Sequence, residues 1–258
     1  MTDAPLFRLD GRAALVTGAS RGLGRRFAGA LANAGAKVAL CARDETLLKE
    51  VAAEITNAGG TAHPIVMDVT DQASVIAGIA AAEAELGPLR AVVNNSGIAK
   101  TARLLDVEQA MEWDPVIDVN LTGAWLVAQA AAKAMAAHGQ GGSIINISSI
   151  LGQRTNPGVI AYNAAKAGLD MVTREMAAEL AKLGIRVNAL SPGYIETDMN
   201  RDYWSTPPGK ALMARVPMRR LGQEEDLDGP IVFLASDASA YITGQVLGLD
   251  GGHSVGFI

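Results

Sequence analysis

Cysteine is nearly missing from these 258 residues: Cys41 stands alone. No internal disulfide can form, and a thiolate metal site would lack partners. Cys41 lies in the apolar run Val38-Ala39-Leu40-Cys41-Ala42, which predicts a buried thiol in a reducing compartment. Histidine is scarce too. His63, His138 and His253 are scattered without ligand spacing, so no metal is expected and each is read as structural or solvated. Positive charge is in deficit, with 22 Lys and Arg against 27 Asp and Glu and a formal charge of -5. Such a chain repels phosphate backbones and anionic bilayers, which argues against nucleic-acid and membrane partners. A local basic site for one small anion is still compatible with it. No uncharged apolar stretch is long enough to span a bilayer. Asp3 and Pro5 stand where a secretory signal would carry a basic and then an apolar region. The expected location is the cytoplasm. Linkers rich in Pro, Gly and Ser, internal repeats and low-complexity tracts are absent, so one domain over residues 1–258 is expected.

Apolar residues make up 49% of the chain and charged residues 19%, enough for a sizeable core and far from disorder. Apolar runs at Ala13–Thr17, Lys37–Ala42, Ala62–Asp68, Ala91–Asn94, Ser143–Ser148 and Arg186–Leu190 predict strands. Most lack polar alternation, the pattern of strands buried on both faces. Helical patterns fall between them at about 22–34, 44–58, 71–86, 117–138 and 161–183. A helix near 224–235 and a strand near 246–250 follow. Repeated strand-helix-strand units mean a parallel sheet with crossovers. The least patterned stretch, about 192–222, holds Pro192, Pro207, Pro208 and Pro217 and predicts a substrate lid at about 194–215.

The first strand runs into Thr17-Gly18-Ala19-Ser20-Arg21-Gly22-Leu23-Gly24 and then a helix. Glycines admit unusual dihedrals and close backbone approach, and a helix N-terminus offers N–H groups to a pyrophosphate. The spacing GxxxGxG after a first strand points to a nucleotide. In such folds the second strand ends against the adenosine ribose, where a carboxylate suits NAD and an arginine suits NADP. Here that end reads Cys41-Ala42-Arg43-Asp44, and Arg21 adds a second positive charge. The pair favours NADP(H), unless Asp44 neutralises Arg43. Asp68 can accept from the adenine amino group or serve as a helix N-cap.

Tyr162 and Lys166 lie four apart in a helical pattern and share a face. A neighbouring ammonium is expected to lower the tyrosine pKa and so fit Tyr162 for proton transfer to a carbonyl or from an alcohol. Ser149 closes the preceding strand, at the sheet end that lines ligand crevices, and offers a hydroxyl to the substrate oxygen. Ser148 competes for that role.

With these motifs in this order, the sequence closely resembles the short-chain dehydrogenase/reductase family over nearly its whole length. Further matches are Asn94-Asn95-Ser96-Gly97, Asn120 in Asp118-Val119-Asn120, Pro192-Gly193 followed by Thr197, and Asp250-Gly251-Gly252. Ser96 departs from the alanine more usual there. The resemblance implies an α/β chain with a single Rossmann-type doubly wound parallel sheet of about seven strands and helices on both faces. It implies Tyr162 as proton donor and acceptor, and Lys166 on the nicotinamide ribose, depressing the tyrosine pKa. Ser149 would polarise the carbonyl, and Asn120 would hold a proton-relaying water. Gly18, Gly22 and Gly24 would hold the pyrophosphate with Leu23 beside them. Asn94 would sit near the adenosine ribose and brace its strand. Gly193, Ile195 and Thr197 would meet the nicotinamide end. Ser20, Val69, Asn95 and Pro192 complete the implied cofactor site.

The expected activity is NADPH-dependent reduction of a ketone, reversible to the secondary alcohol. 3-Oxoacyl thioesters, keto-sugar acids and hydrophobic ketones all fit. The pocket is expected from Ile98, Ser149–Asn156, Tyr194 and residues 197–215, including Met199, Tyr203, Trp204 and Met213. Arg154 and Arg103 can meet a carboxylate or phosphate, or be solvated. A non-catalytic NADP(H) sensor should lack part of the Ser/Tyr/Lys set, and an epimerase or dehydratase usually needs a longer chain. The family resemblance further implies a homotetramer, with the helix near 224–235 and residues Val246–Ile258 at its interfaces.

Overall fold

The computed structural model describes residues 5–197 and 200–255. Seven strands form one sheet: β1 (Ala13–Thr17), β2 (Lys37–Ala42), β3 (Thr61–Val66), β4 (Leu89–Asn94), β5 (Gly142–Ile147), β6 (Ile185–Pro192) and β7 (Val246–Leu249). Their order is β3-β2-β1-β4-β5-β6-β7, and every neighbouring pair is parallel. The helices are α1 (Gly22–Asn33), α2 (Glu45–Asn57), α3 (Gln72–Leu86), α4 (Asp114–Ile117), α5 (Ala124–His138), α6 (Ile160–Leu180), α7 (Arg201–Trp204), α8 (Pro207–Met213) and α9 (Asp228–Ala235).

The missing polar alternation in the strands has its reason here. Ala14, Val16, Val38 and Leu40 point to one face and pack with α1, α2 and α9 around Phe27, Leu31, Leu48 and Ile231. Ala13, Leu15, Ala39 and Cys41 point to the other and pack with α3, α5 and α6 around Ile79, Val127 and Ala177. Both faces are dry, so both parities must be apolar. Cys41 is a free, buried thiol, and burial pushes its pKa up. Among the described residues no helix is long and apolar enough to cross a membrane.

Side-chain caps set several boundaries. Asp44 accepts from Leu47 N to start α2, and Asp71 from Ala73 N to start α3. Gly139, at φ 68, ends α5.

Three expectations need correction. The helix expected over 117–138 begins earlier, as π turns at Gln109–Trp113 and Asp118–Gly123 flanking α4. Pro115 lacks the N–H that an uninterrupted α-helix would use there. The prolines of 192–222 are not all breakers: Pro207 and Pro208 open α8, where no N–H is needed, and Thr206 Oγ1 accepts from Gly209 N at 3.2 Å. The helix near 224–235 starts as a 3-10 turn at Glu224–Leu227 ahead of α9.

Candidate active site

Chain order reverses between β1 and β4, and parallel sheets open a crevice at the carboxyl ends of such strands. A clamp that sequence reasoning missed ties those two ends together. Thr17 Oγ1 accepts from Asn95 N at 2.9 Å and Ser96 N at 3.0 Å, while Asn95 Nδ2 donates to Thr17 O at 3.0 Å. The only sequence signal is a hydroxyl residue just before the glycine loop. Gly18 and Gly22 take positive φ, 64° and 51°. Gly24 is packed from above: a Cβ there would lie 2.1 Å from Gly18 O and 2.5 Å from Asn95 Nδ2. Gly24→Ala is therefore expected to destabilise the chain by about 1–3 kcal/mol. It should also weaken nucleotide binding by deforming the loop, which urea unfolding and fluorescence titration with NADPH would read.

The crevice is continuous. A groove of about 1100 Å³ is lined by Gly18, Ser20, Arg21, Leu23, Arg43, Asp68, Val69, Asn95 and Ser96. A second, of about 380 Å³, is lined by Leu23, Asn95, Ile98, Ser149, Tyr162, Lys166, Pro192, Gly193, Tyr194, Ile195 and Thr197. Leu23, Asn95, Gly97, Ile98 and Ala99 border both. A dinucleotide fits the shape, with the glycine loop between its two ends. At the N-terminus of α1 no side-chain cap bonds the backbone N–H groups, which leaves them for an anion.

Gly24 supports the loop from beneath, and Gly22 opens α1 with its backbone N–H groups uncapped while also bordering a neighbouring groove with Arg21. Asn94 is inside the sheet, donating to Ala124 O at 3.0 Å and Asn146 Oδ1 at 2.9 Å, so it braces β4 while Asn95 meets the crevice. Asp44 caps α2 and Asp71 caps α3. Asp68 instead accepts from Thr70 N and Oγ1 at 2.9 and 2.7 Å. Its pKa is lowered by those Thr70 hydrogen bonds, with a smaller contribution from Arg43.

At the other end, Ser149 follows β5 and accepts from Leu151 N at 3.2 Å. It lines the same groove as Tyr162, and its hydroxyl pulls the Tyr162 pKa down. Ser148 borders the same groove, but its Oγ is buried and without a hydrogen-bond partner among the described residues, whereas Ser149 Oγ is held by Leu151 N. Lys166 lies 5.5 Å from the Tyr162 ring centroid, and its Nζ donates to Ile147 O at 2.7 Å. The expectation that Lys166 depresses the tyrosine is not met: burial raises the Tyr162 pKa, and Ser149 only partly opposes it. Burial acts on Lys166 too, pushing it down to about 8 against the pull of Asp170. Asn120 is fully buried, and its amide is doubly engaged: Oδ1 accepts from Ile98 N at 2.8 Å and Nδ2 donates to Ile98 O at 2.7 Å. Its side chain pins Ile98 at the crevice wall.

Of Ser149–Asn156, Ser149 lines the small groove, whereas Arg154 turns to donate to Ser254 O. Arg103 is exposed at the start of a 3-10 turn. Met199 lies outside the described residues. Asn200 ties its own segment together: its Oδ1 accepts from Thr197 N at 2.8 Å and Trp204 Nε1 at 2.9 Å, and its Nδ2 donates to Ile195 O at 2.9 Å. Trp204 packs edge-on against Tyr194 and Tyr203, with centroids 5.3 and 5.1 Å away. His253, read as structural or solvated, stacks on Tyr194 at 5.2 Å.

A family model described as Enoyl-(Acyl carrier protein) reductase matches residues 18–254. Gluconate 5-dehydrogenase of Gluconobacter oxydans (strain 621H) is 39% identical over 256 residues, covering 99% of each chain. The 3-oxoacyl-[acyl-carrier-protein] reductase of Escherichia coli (strain K12) is 39% identical over 243 residues, covering 94% of this chain and 97% of the relative. A crystal structure of a gluconate 5-dehydrogenase from Burkholderia cenocepacia, in complex with NADP and tartrate, superposes with a TM-score of 0.93 at 40% identity, covering 98% of each chain.

Proposed function

The chain belongs to the short-chain dehydrogenase/reductase family, and we propose that it interconverts a ketone and a secondary alcohol with NADP(H), through Ser149, Tyr162 and Lys166. The observation that carries this reading is the meeting of those three side chains in one groove that runs into the nucleotide crevice. NADPH, when bound, supplies the hydride for the carbonyl carbon. As charge develops on the carbonyl oxygen, the Ser149 and Tyr162 hydroxyls are aimed at it and stabilise it. Tyr162, kept protonated by burial, gives its proton to that oxygen. Lys166, anchored on Ile147 O, holds its ammonium beside the ring. Asn120 acts by positioning Ile98. Residues 194–215 act as the lid over the groove within a single catalytic domain.

Arg21 and Arg43 line the nucleotide groove and support NADP(H) over NAD(H); Asp44 and Glu45 line it too, with Asp44 capping α2 through Leu47 N. A charge-assisted hydrogen bond contributes about 1.5–3 kcal/mol. Arg43→Ala is accordingly expected to raise KM for NADPH about 10- to 100-fold and to leave KM for NADH unchanged, by steady-state kinetics with each cofactor.

The reading is tested by following cofactor absorbance with 5-ketogluconate, an acetoacetyl thioester and an aryl ketone. Turnover that prefers NADPH supports it. Binding of NADPH without turnover of any carbonyl favours the sensor reading.

Exposed apolar side chains on α5 (Trp125), α6 (Met171) and β7 (Leu247) support assembly as a homotetramer. α9 is a weaker interface candidate than the sequence suggests, since Ile231, Leu234 and Ala235 are buried within its own chain. Light scattering at micromolar concentration is expected to give four times the chain mass. A cytoplasmic location remains part of this proposal.

A further inference from the structure

At the edge of the sheet opposite Ser149 and Tyr162, we propose a second binding site, for a small phosphate-bearing anion, in a cavity lined by Arg12, Arg90 and Arg186. The cavity measures about 530 Å³, within the range of small-molecule sites. Its three arginines are far apart in the chain and are gathered by the sheet. Arg12 immediately precedes β1, and Arg90 and Arg186 are the second residues of β4 and β6. All three therefore stand at the amino ends of their strands, whereas the glycine loop and Ser149 follow carboxyl ends. Gly142 and Ser143, which open β5 between β4 and β6, line the same cavity. Tyr241 lines it too and is fully exposed, so the cavity opens to solvent.

The charge around this cavity is unbalanced. Asp237 is the one carboxylate among the residues that line it. Arg12 engages it, with Nη1 donating to Oδ1 at 2.9 Å. That hydrogen bond is the main reason the Asp237 carboxyl is held below its ordinary value, and the charges of Arg90 and Arg186 reach the same carboxyl. Arg186 donates to neutral acceptors: Nη1 to Ser239 Oγ at 2.9 Å, and Nη2 to Leu234 O at 2.9 Å and Ser236 O at 3.1 Å. Those bonds fix the guanidinium without cancelling its charge. Arg90 has the weakest support. Its Nη1 reaches Gln140 Oε1 only at 3.5 Å, and its Nε is buried with no acceptor among the described residues. A buried donor left without an acceptor is costly, and such groups are uncommon without a reason. Three guanidinium groups thus meet one carboxylate, in a chain whose net charge is -5. The positive surplus matches a phosphate dianion, whose oxygens also fit the planar fork of arginine.

The test is calorimetry of inorganic pyrophosphate and of glucose 6-phosphate with the full chain saturated in NADP+, which keeps both probes out of the nucleotide crevice. Wild type is expected to bind at least one of them, and the tighter of the two tells an inorganic ligand from a phosphate monoester. Arg90→Met should weaken that binding about tenfold or more. Gln140→Glu should weaken it to a similar degree, because it sets a carboxylate beside Arg90 at an exposed position and threatens no packing. Arg90→Lys, which keeps the charge and loses the fork, should fall between Arg90→Met and wild type. Added salt should weaken wild-type binding. Ketone reduction with NADPH is expected to be unchanged in all three variants, so the outcome is independent of the dehydrogenase reading. Absence of binding to wild type at millimolar probe overturns the site, as does binding that is equally tight in wild type and Gln140→Glu.

Discussion

Tyr162→Phe is expected to lower kcat/KM for ketone reduction by about 10²- to 10⁴-fold, with NADPH affinity nearly unchanged. The phenol is the one group in the small groove placed both beside Ser149 and under the influence of Lys166. Phenylalanine keeps the ring, and so the packing against Lys166, and removes only the donor. Stopped-flow mixing with ketone and fluorescence titration with NADPH would separate the two effects. Direction matters as well. Burial holds the Tyr162 pKa above its ordinary value, so the phenol is protonated throughout the neutral range. Reduction needs that proton, and its rate should be insensitive to Tyr162 between pH 6 and about 8. Oxidation of the alcohol needs the phenolate, and its rate should climb as pH rises. A Phe variant with near wild-type reduction would remove Tyr162 from the chemistry and return the donor role to solvent.

Lys166→Met is expected to abolish most activity and yet stabilise the folded chain. Lys166 is buried, with Nζ held by one carbonyl. Its pKa falls from the ordinary 10.5 to about 8. Each pKa unit is about 1.4 kcal/mol, so the charged side chain costs on the order of 3 kcal/mol in the fold below pH 8. Between pH 8 and 10.5 the folded chain has released this proton while the unfolded chain still holds it, so wild-type stability from this group rises with pH. Methionine fills similar space without charge. It leaves Ile147 O without its donor, a loss of about 1 kcal/mol. The variant should therefore gain about 1–2 kcal/mol at pH 7, or several degrees in Tm. That advantage should shrink toward pH 10. Urea unfolding at both pH values reads it directly. A variant less stable than wild type at pH 7 would mean that Asp170 and Ile147 offset the burial of the ammonium in full. The residue most important for chemistry would then carry no stability penalty, contrary to what its surroundings imply.

The strand and helix order and the parallel sheet were legible from the sequence, as was the grouping of Ser149, Tyr162 and Lys166, which the fold brings to one groove. The reason is local. Dry strands must be apolar on both faces, as Ala13–Thr17 and Lys37–Ala42 are. Glycine loops need residues such as Gly18 and Gly22 at positive φ, and a YxxxK pair shares a helix face by geometry alone. Other features depend on what lies opposite in space. Thr17 and Asn95 are 78 residues apart and meet because β1 and β4 are neighbours. That Asp44 caps α2 through Leu47 N, beside Arg43 in the same groove, is a feature of the folded chain. Ser148 and Ser149 differ in burial: the Ser148 Oγ is enclosed, and the Ser149 Oγ is held by Leu151 N. His253, a lone histidine read as structural or solvated, packs on Tyr194 because the sheet returns it there. The sign of the tyrosine shift also required the fold. Spacing alone places an ammonium near Tyr162, but burial, a property of all the surrounding elements together, outweighs that single neighbour.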